Sequence, residues 1–332
     1  MIQATFNEAI MPITVSGQAQ DLVNYIAVKC LGGADCNQAG PGFFSCGSDT
    51  CVDGKFIVSN QYRTVEFISN NQCGVNSCGE PVYCLPETSQ ITVELKAASL
   101  ASCGADNCAS RSPYIECANG HCHNSAGVNY PLSASPFDGI MDLALNSLDG
   151  NRDDQAVGPV SFYDENIGDQ QSGDSFKWSF STNDQIDIDP PIITRTSITH
   201  EQGNVNLTES IKVDFSEVMM ASSLKTGSTF ISNGRDRFEH KAINLWNLSG
   251  SSTGFWVTSE NIDNDPPDGE MDWTQAEIRH VMFADGADYR ARVGSGVRDN
   301  YQNCFKPSSS DTCAGGPSCC GEVSTAASEC SE

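Results

Sequence analysis

Four pairs of cysteines, each separated by four residues, carry the most conspicuous chemistry of this chain: Cys46/Cys51, Cys73/Cys78, Cys103/Cys108 and Cys117/Cys122. Three chemistries use closely spaced cysteines: a metal knuckle, a redox centre, and a disulfide staple. Zinc ribbons place ligands two to four residues apart and need a second such pair nearby. Here the filler is Gly, Asn, Ser and Asp, with almost no His. That filler is turn chemistry, which lets two Cβ atoms approach to the roughly 3.8 Å a disulfide requires. Local disulfides are therefore the expectation, with structural zinc and redox function as the alternatives. The stretch Cys117-Ala-Asn-Gly-His121-Cys122-His123 adds a stretched haem-attachment pattern and a Cys/His zinc pattern to the choice. A single copy, with no Met or His partner suggested elsewhere, favours one more stapled loop. Bridges of this kind hold irregular loops that bury little, and they imply an oxidising, extracellular compartment.

Two acidic loops offer a second chemistry. One carries Asp149, Asn151 and Asp153, following Asp142 and Asn146; the other carries Asp263, Asp265, Asp268, Glu270 and Asp272 around Gly269. Oxygen ligands at alternate positions, with a glycine for a sharp turn, suit a calcium ion. Neither loop has the twelve-residue EF-hand spacing, and the competing reading is a solvated turn in a chain that is acidic throughout. The five histidines (His121, His123, His200, His240 and His280) are scattered, and no Ser/His/Asp or Cys/His order emerges. The expectation is that the chain is not an enzyme. Trp246, Trp256 and Trp273 could line a sugar-binding face, although tryptophan in a sandwich is more often core. Asn206-Leu-Thr208 and Asn247-Leu-Ser249 are glycosylation sequons.

The wider composition narrows the function classes. The chain has 332 residues, with 18 Lys and Arg against 43 Asp and Glu and a formal charge of −25. Such a surface repels phosphate backbones, which argues against nucleic-acid binding. No run of about 18 apolar residues exists to span a membrane, and no signal peptide is visible. Of the 16 cysteines, eleven lie between Cys30 and Cys122 and five between Cys304 and Cys330, so cysteine marks particular loops and not the core.

The elements that must position these residues read as strands. Candidates are 25–28, 55–59, 62–68, 91–95 and 176–182, then 211–215, 242–246, 255–258, 277–283 and 289–293. They are short, alternating, and separated by Gly, Asn, Ser and Asp, which indicates a sandwich or barrel. Internal similarity is the strongest signal. Ile2-Gln-Ala-Thr-Phe6-Asn-Glu8-Ala-Ile-Met11 matches Ile211-Lys-Val-Asp-Phe215-Ser-Glu217-Val-Met-Met220. Gly139-Ile-Met-Asp142-Leu-Ala-Leu-Asn146 matches Gly296-Val-Arg-Asp299-Asn-Tyr-Gln-Asn303. Asp187-Ile-Asp-Pro190-Pro191 resists regular pairing and marks a junction between two copies.

These residues resemble the bacterial Ig-like module of surface-layer proteins, the SbsA-type Ig-like domain. An Asp-x-x-Pro-Pro-like opening, a strand ending in Phe-x-Glu-x-Met, and a later Gly-x-x-Asp-x-x-x-Asn are its marks. The resemblance implies an all-β chain of two tandem Ig-like β-sandwich domains with disulfide-stapled loop insertions, residues 1–186 and 187–332. It makes Glu8 and Glu217 turn-stabilising acceptors. It further implies an extracellular structural or adhesive protein, a segment of a cell-surface stalk, layer or adhesin arm, whose partners are neighbouring modules or subunits. The alternatives are a glycan- or protein-binding module, or the spacer of a larger secreted enzyme. Because the first copy starts at its matching strand and the second ends in a cysteine-rich tail, each domain is expected to lack one edge strand. The chain then reads as an internal segment of a longer array, or a subunit completed by a neighbour.

Overall fold

The computed structural model describes residues 1–33, 36, 42–76, 79–98, 115–118, 121–124, 129–131, 138–144, 146–152, 162–164, 173–199, 202–225, 243–248, 253–265, 271–294 and 296–305; the side chains of 115–131, 162–164, 246 and 292 are not described. The strands in chain order are β1 (Ile2–Thr5), β2 (Gly17–Gln18), β3 (Ile26–Gly32), β4 (Phe43–Cys46), β5 (Asp49–Val52), β6 (Gly54–Ser59) and β7 (Thr64–Ser69). There follow β8 (Gln72–Val75), β9 (Pro81–Tyr83), β10 (Gln90–Leu95), β11 (Ile115–Ala118), β12 (His121–Asn124), β13 (Asn129–Pro131), β14 (Phe162–Asp164) and β15 (Ser175–Ser181). The last six are β16 (Ile193–Thr196), β17 (Ile211–Phe215), β18 (Ile243–Asn247), β19 (Phe255–Ile262), β20 (Trp273–His280) and β21 (Tyr289–Val293). The chain is all-β, as its alternating pattern predicts. Two compact units form: Ile2–Gln72 with Tyr83–Gln185, and Met1 with Cys73–Val82 and Ile186–Glu332.

In the unit of Ile2–Gln72 and Tyr83–Gln185, one sheet runs β1-β7-β6-β2 and a second runs β14-β15-β10-β3-β5-β4. Alternation decides what each strand buries. Ile91, Val93 and Leu95 of β10 join Ile26 and Val28 of β3, and meet Val65 and Phe67 of β7 and Phe56 of β6 in one core. Phe56 and Phe67 pack with ring centroids 4.9 Å apart. Between the two aromatic and aliphatic positions of β7, Glu66 is also buried, where Gln3 Nε2 and Ser59 Oγ each donate to its carboxylate at 3.1 Å. Cys46 and Cys51 are joined by a disulfide across the β4–β5 hairpin, with Cα atoms 5.8 Å apart. A second bridge, Cys30–Cys36, ties the end of β3 to the loop that follows, with Cα atoms 5.4 Å apart. The predicted start of the seventh strand at residue 62 moves to Thr64. Asn60, Gln61 and Tyr62 all have positive φ, and they form the turn between β6 and β7.

In the unit of Met1, Cys73–Val82 and Ile186–Glu332, β16-β17-β20-β19 form one sheet and β18-β21 another. Val213 and Phe215 of β17 and Ala276 and Ile278 of β20 bury against Ile243 and Leu245 of β18. β17 and β21 lie at the positions expected for them. β20 begins and ends earlier than the expected 277–283, because it pairs along its whole length with β19, from Phe255↔His280 to Ile262↔Trp273. The β8–β9 hairpin belongs to this unit as well: Asn76 Nδ2 donates to Gln302 O at 2.7 Å, and the Arg298 guanidinium pairs with the Glu80 carboxylate. No helix among the described residues is long and apolar enough to cross a membrane.

Candidate functional site

The end of β17 and the segment after β21 are stitched together. Beyond Phe215 the chain leaves β17, and Val218 O accepts the Asn300 N–H while Met220 N–H donates to Arg298 O, both at 2.8 Å. Met219 and Asp299 face each other as an antiparallel bridge. On the opposite flank, Thr274 N–H donates to Glu217 O at 3.1 Å, and Met219 N–H donates to Thr274 Oγ1 at 2.8 Å. Glu217 is therefore anchored by backbone on both sides, beside Asp299.

Asp299 organises a tight turn. Its Oδ1 accepts the N–H groups of Tyr301 and Asn303 at 2.8 and 2.7 Å, and its Oδ2 accepts Asn303 Nδ2 at 3.0 Å. The turn closes through Asp299 N–H to Asn303 O at 3.1 Å. Gln302 takes a φ of 72° to complete it. Asn303 Nδ2 also donates to the Asp187 carbonyl at 3.2 Å, which draws the junction segment onto the turn. Asp299 and Asn303 are both 0% exposed.

Carboxylates collect here, and the Met1 ammonium donates to Asn300 O at 3.2 Å beside them. Burial pushes the Glu217 carboxyl up to about 8; the neighbouring Asp299 charge and hydrogen bond, and then Asp187 and Asp189, push in the same direction. Burial also raises Asp299, to about 6, against the lowering effect of its bonds from Asn303 and Tyr301. Arg298, adjacent in sequence, spends its guanidinium on Glu80. Three buried oxygens in this neighbourhood, Glu217 Oε2, Asn300 Oδ1 and Asn303 Oδ1, receive no hydrogen bond among the described residues. Read from the resemblance, Glu217 stabilises a turn. In the fold its carboxylate lies beside Asp299, which brings together two motifs far apart in sequence. The signal was present in the two matched motifs; what was missing was that they face one another.

The other unit repeats this wiring without the enclosure. Asn146 N–H and Nδ2 donate to Asp142 Oδ1 and Oδ2 at 2.8 and 2.7 Å, and Asp142 N–H donates to Asn146 O at 2.9 Å. Met11 N–H donates to Met141 O and Leu143 N–H to Ala9 O, the counterparts of Met220 to Arg298 and Asn300 to Val218. Ile10 and Asp142 form the bridge that matches Met219 and Asp299. Here, however, Glu8 and Asn146 are exposed.

The acidic loop between β19 and β20 brings Asp263, Asp265 and Asp272 together, with one oxygen of each within 4.8 Å of the others. Asp265 N–H donates to Asp263 Oδ1 at 2.9 Å and Asn264 N–H to Asp272 Oδ2 at 2.7 Å, so backbone donors already occupy part of the set. Asp268 and Glu270 lie outside the described residues, as does Asp153 of the other loop. In that loop Asp149 and Asn151 flank Gly150, whose N–H donates to Asp174 O at 2.8 Å. Of the remaining cysteines, Cys73, Cys84 and Cys304 are disulfide-bonded. Cys117 and Cys122 are register partners in the β11–β12 hairpin. Cys78, Cys103 and Cys108 lie outside the described residues.

Histidine and tryptophan assemble no site among the described residues. His280 stacks on Phe283 with centroids 3.6 Å apart and bonds the carbonyls of Val281 and Glu209, a structural setting. Trp256 and Trp273 stand at opposite ends of the β19–β20 pair, opposite Arg279 and Ile262, and Trp246 lies on β18 in a different sheet. Trp256 and Trp273 do not form one platform. Asn247, of the second sequon, is buried in β18.

Residues 187–311 match the bacterial Ig-like domain family. The matched segment begins at the Asp187 carbonyl that caps the turn and includes Glu217, Asp299 and Asn303. No curated protein and no solved structure matches the chain.

Proposed function

We propose that the chain is an extracellular, non-enzymatic structural or adhesive protein built of tandem Ig-like modules, a segment of a cell-surface stalk, layer or adhesin arm. The observation that carries this reading is the hydrogen-bonded turn of Asp299 and Asn303 inside the Ig-like segment, three of whose bonds recur between Asp142 and Asn146 in the other unit. Repetition of one supersecondary device is how modular arrays are built. The disulfides Cys30–Cys36 and Cys46–Cys51 support an oxidising compartment. Neighbouring modules or subunits are the partners of such an array, and calcium at Asp263, Asp265 and Asp272 would stiffen the β19–β20 loop. The test is protease shaving of intact producing cells, followed by non-reducing electrophoresis. The protein should be cleaved from outside and migrate faster before reduction; a protected protein with titratable thiols would overturn the reading.

A second reading, recognition of a glycan or protein, is favoured by Trp256, 45% exposed on β19 with Val281 and Met282 exposed just beyond β20. Tryptophan on an open sheet face suits stacking against a sugar ring. A glycan array probed with the intact chain and with Trp256→Ala separates the two readings.

A further inference from the structure

We propose that Asn206 is the acceptor of an N-linked saccharide, with Thr208 as the residue that presents it. The assignment rests on the extracellular reading given above.

Two Asn-x-Ser/Thr tripeptides occur in the chain, Asn206-Leu-Thr208 and Asn247-Leu-Ser249. The fold treats them oppositely. Asn206 and Thr208 are exposed in the segment before β17. Asn206 O accepts the Glu209 N–H at 3.0 Å, so the tripeptide sits in a tight turn. Between the two polar residues Leu207 packs against the core, and its carbonyl accepts the Phe283 N–H at 2.9 Å. The turn is thus fastened from beneath while Asn206 and Thr208 stay at the surface. Asn247, by contrast, is buried in β18, opposite Tyr289 of β21. Even one sugar on an amide that is 9% exposed has no room unless the β18–β21 pair opens.

The side chains fix the chemistry. Thr208 donates twice to Asn206 Oδ1, from its N–H and from its Oγ1, both at 3.2 Å. A backbone N–H can only donate, so the acceptor end of the carboxamide is the one held. Nδ2, the other end, donates to nothing among the described residues. A side chain already held in one conformer costs less to order on docking. An amide nitrogen is still a weak nucleophile, because its lone pair is shared with the carbonyl. The transfer therefore needs an activated sugar and a separate transferase. The donor class is a sugar joined through its anomeric carbon to a lipid diphosphate. Nδ2 bonds to that carbon as the carbon–oxygen bond to phosphate breaks. The lipid diphosphate leaves with the bonding electrons, and one Nδ2 proton passes to a base of the transferase. No oxidant or reductant enters.

The experiment maps the intact chain, recovered from the producing cells, by tandem mass spectrometry without reductant. The peptide carrying Asn206 should gain whole saccharide units, with fragments that keep the sugar on Asn206. The Asn247 peptide should gain none. Asn206→Gln and Thr208→Ala should lose the added mass, and Thr208→Ser, which keeps a hydroxyl, should retain it. The Cys46–Cys51 bridge, read in the same digest, separates this assignment from the reading beneath it. A bare Asn206 in bridged protein overturns the acceptor assignment and leaves the extracellular reading standing. A bare Asn206 in protein with free thiols overturns both. Wild-type occupancy in Thr208→Ala, or a saccharide on Asn247 in place of Asn206, also overturns the assignment.

Discussion

The Glu217 and Asp299 carboxyls lie beside one another although both are acids, and the turn that holds Asp299 in place is closed by Asn303. The contact is the point where the strand ending at Phe215 and the segment after Val293 meet. It makes one acidic pair answerable to pH and to substitution in ways an exposed pair would not be.

The pH response follows from the sign of the shifts. Glu217 and Asp299 have folded-state values raised to about 8 and about 6, above those of the unfolded chain. The folded form therefore holds protons more tightly. Its stability from this pair is fully present below about pH 4 and is lost as pH rises through 6 and 8. Asp187 and Asp189 act in the same direction, and the Met1 ammonium stands close by, bonded to Asn300 O at 3.2 Å. In chelator, urea midpoints for the Ile186–Glu332 unit should fall between pH 5.5 and pH 8.5, and Glu217→Gln should flatten the dependence.

The two turns, alike in bonding, differ in burial, and asparagine removal should expose that difference. Asn303→Ala takes two donated bonds out of a closed site, to Asp299 and to Asp187. It should cost roughly 2–3 kcal/mol. Asn146→Ala removes the matching exposed bond and should cost about 1 kcal/mol or less. Denaturant unfolding of each variant checks the ratio; equal losses would show that enclosure adds nothing.

Gly139 is held by space. A Cβ there would overlap the backbone of Ala97 and Ala98. Gly139→Ala should destabilise by about 1–3 kcal/mol, whereas Gly203→Ala, with nothing within 4 Å of its Cβ, should fall within about 0.5 kcal/mol of wild type. Thermal melts of the two variants compare them directly.

The Cys46–Cys51 bridge closes a short loop, with a sequence separation of 5. Its removal as Cys46→Ser with Cys51→Ser should cost roughly 2 kcal/mol by loop entropy. The loss should register in probes of the unit that holds Trp178 and leave the Ile186–Glu332 unit unchanged. Peptide mapping without reductant should recover Cys30 with Cys36 and Cys46 with Cys51.

Much of the fold was legible because alternation is a local property. Ile211–Phe215 and Tyr289–Val293 were readable to both ends, each alternating apolar and charged residue types along the sequence. The β20 boundary was not, since a hairpin partner decided it and not the residues of β20 themselves. Cys30–Cys36 escaped notice because its spacing of five intervening residues broke the pattern set by the other pairs. The acidic pair escaped for a deeper reason. Glu217 and Asp299 each belong to a recognisable motif, but only tertiary pairing through Met219 makes them neighbours, and no single-chain periodicity encodes that.

The hairpin of Cys73–Val82 gives the chain a schedule. Glu80 is paired with Arg298, 218 residues later, and Asn76 with Gln302, 226 residues later. During synthesis the hairpin leaves the ribosome long before the strands it packs with, and loop closure over such distances is slow. At roughly 5–20 residues per second it waits for some ten seconds or more. The unit therefore closes only when the 298–302 segment arrives to meet a hairpin made far earlier.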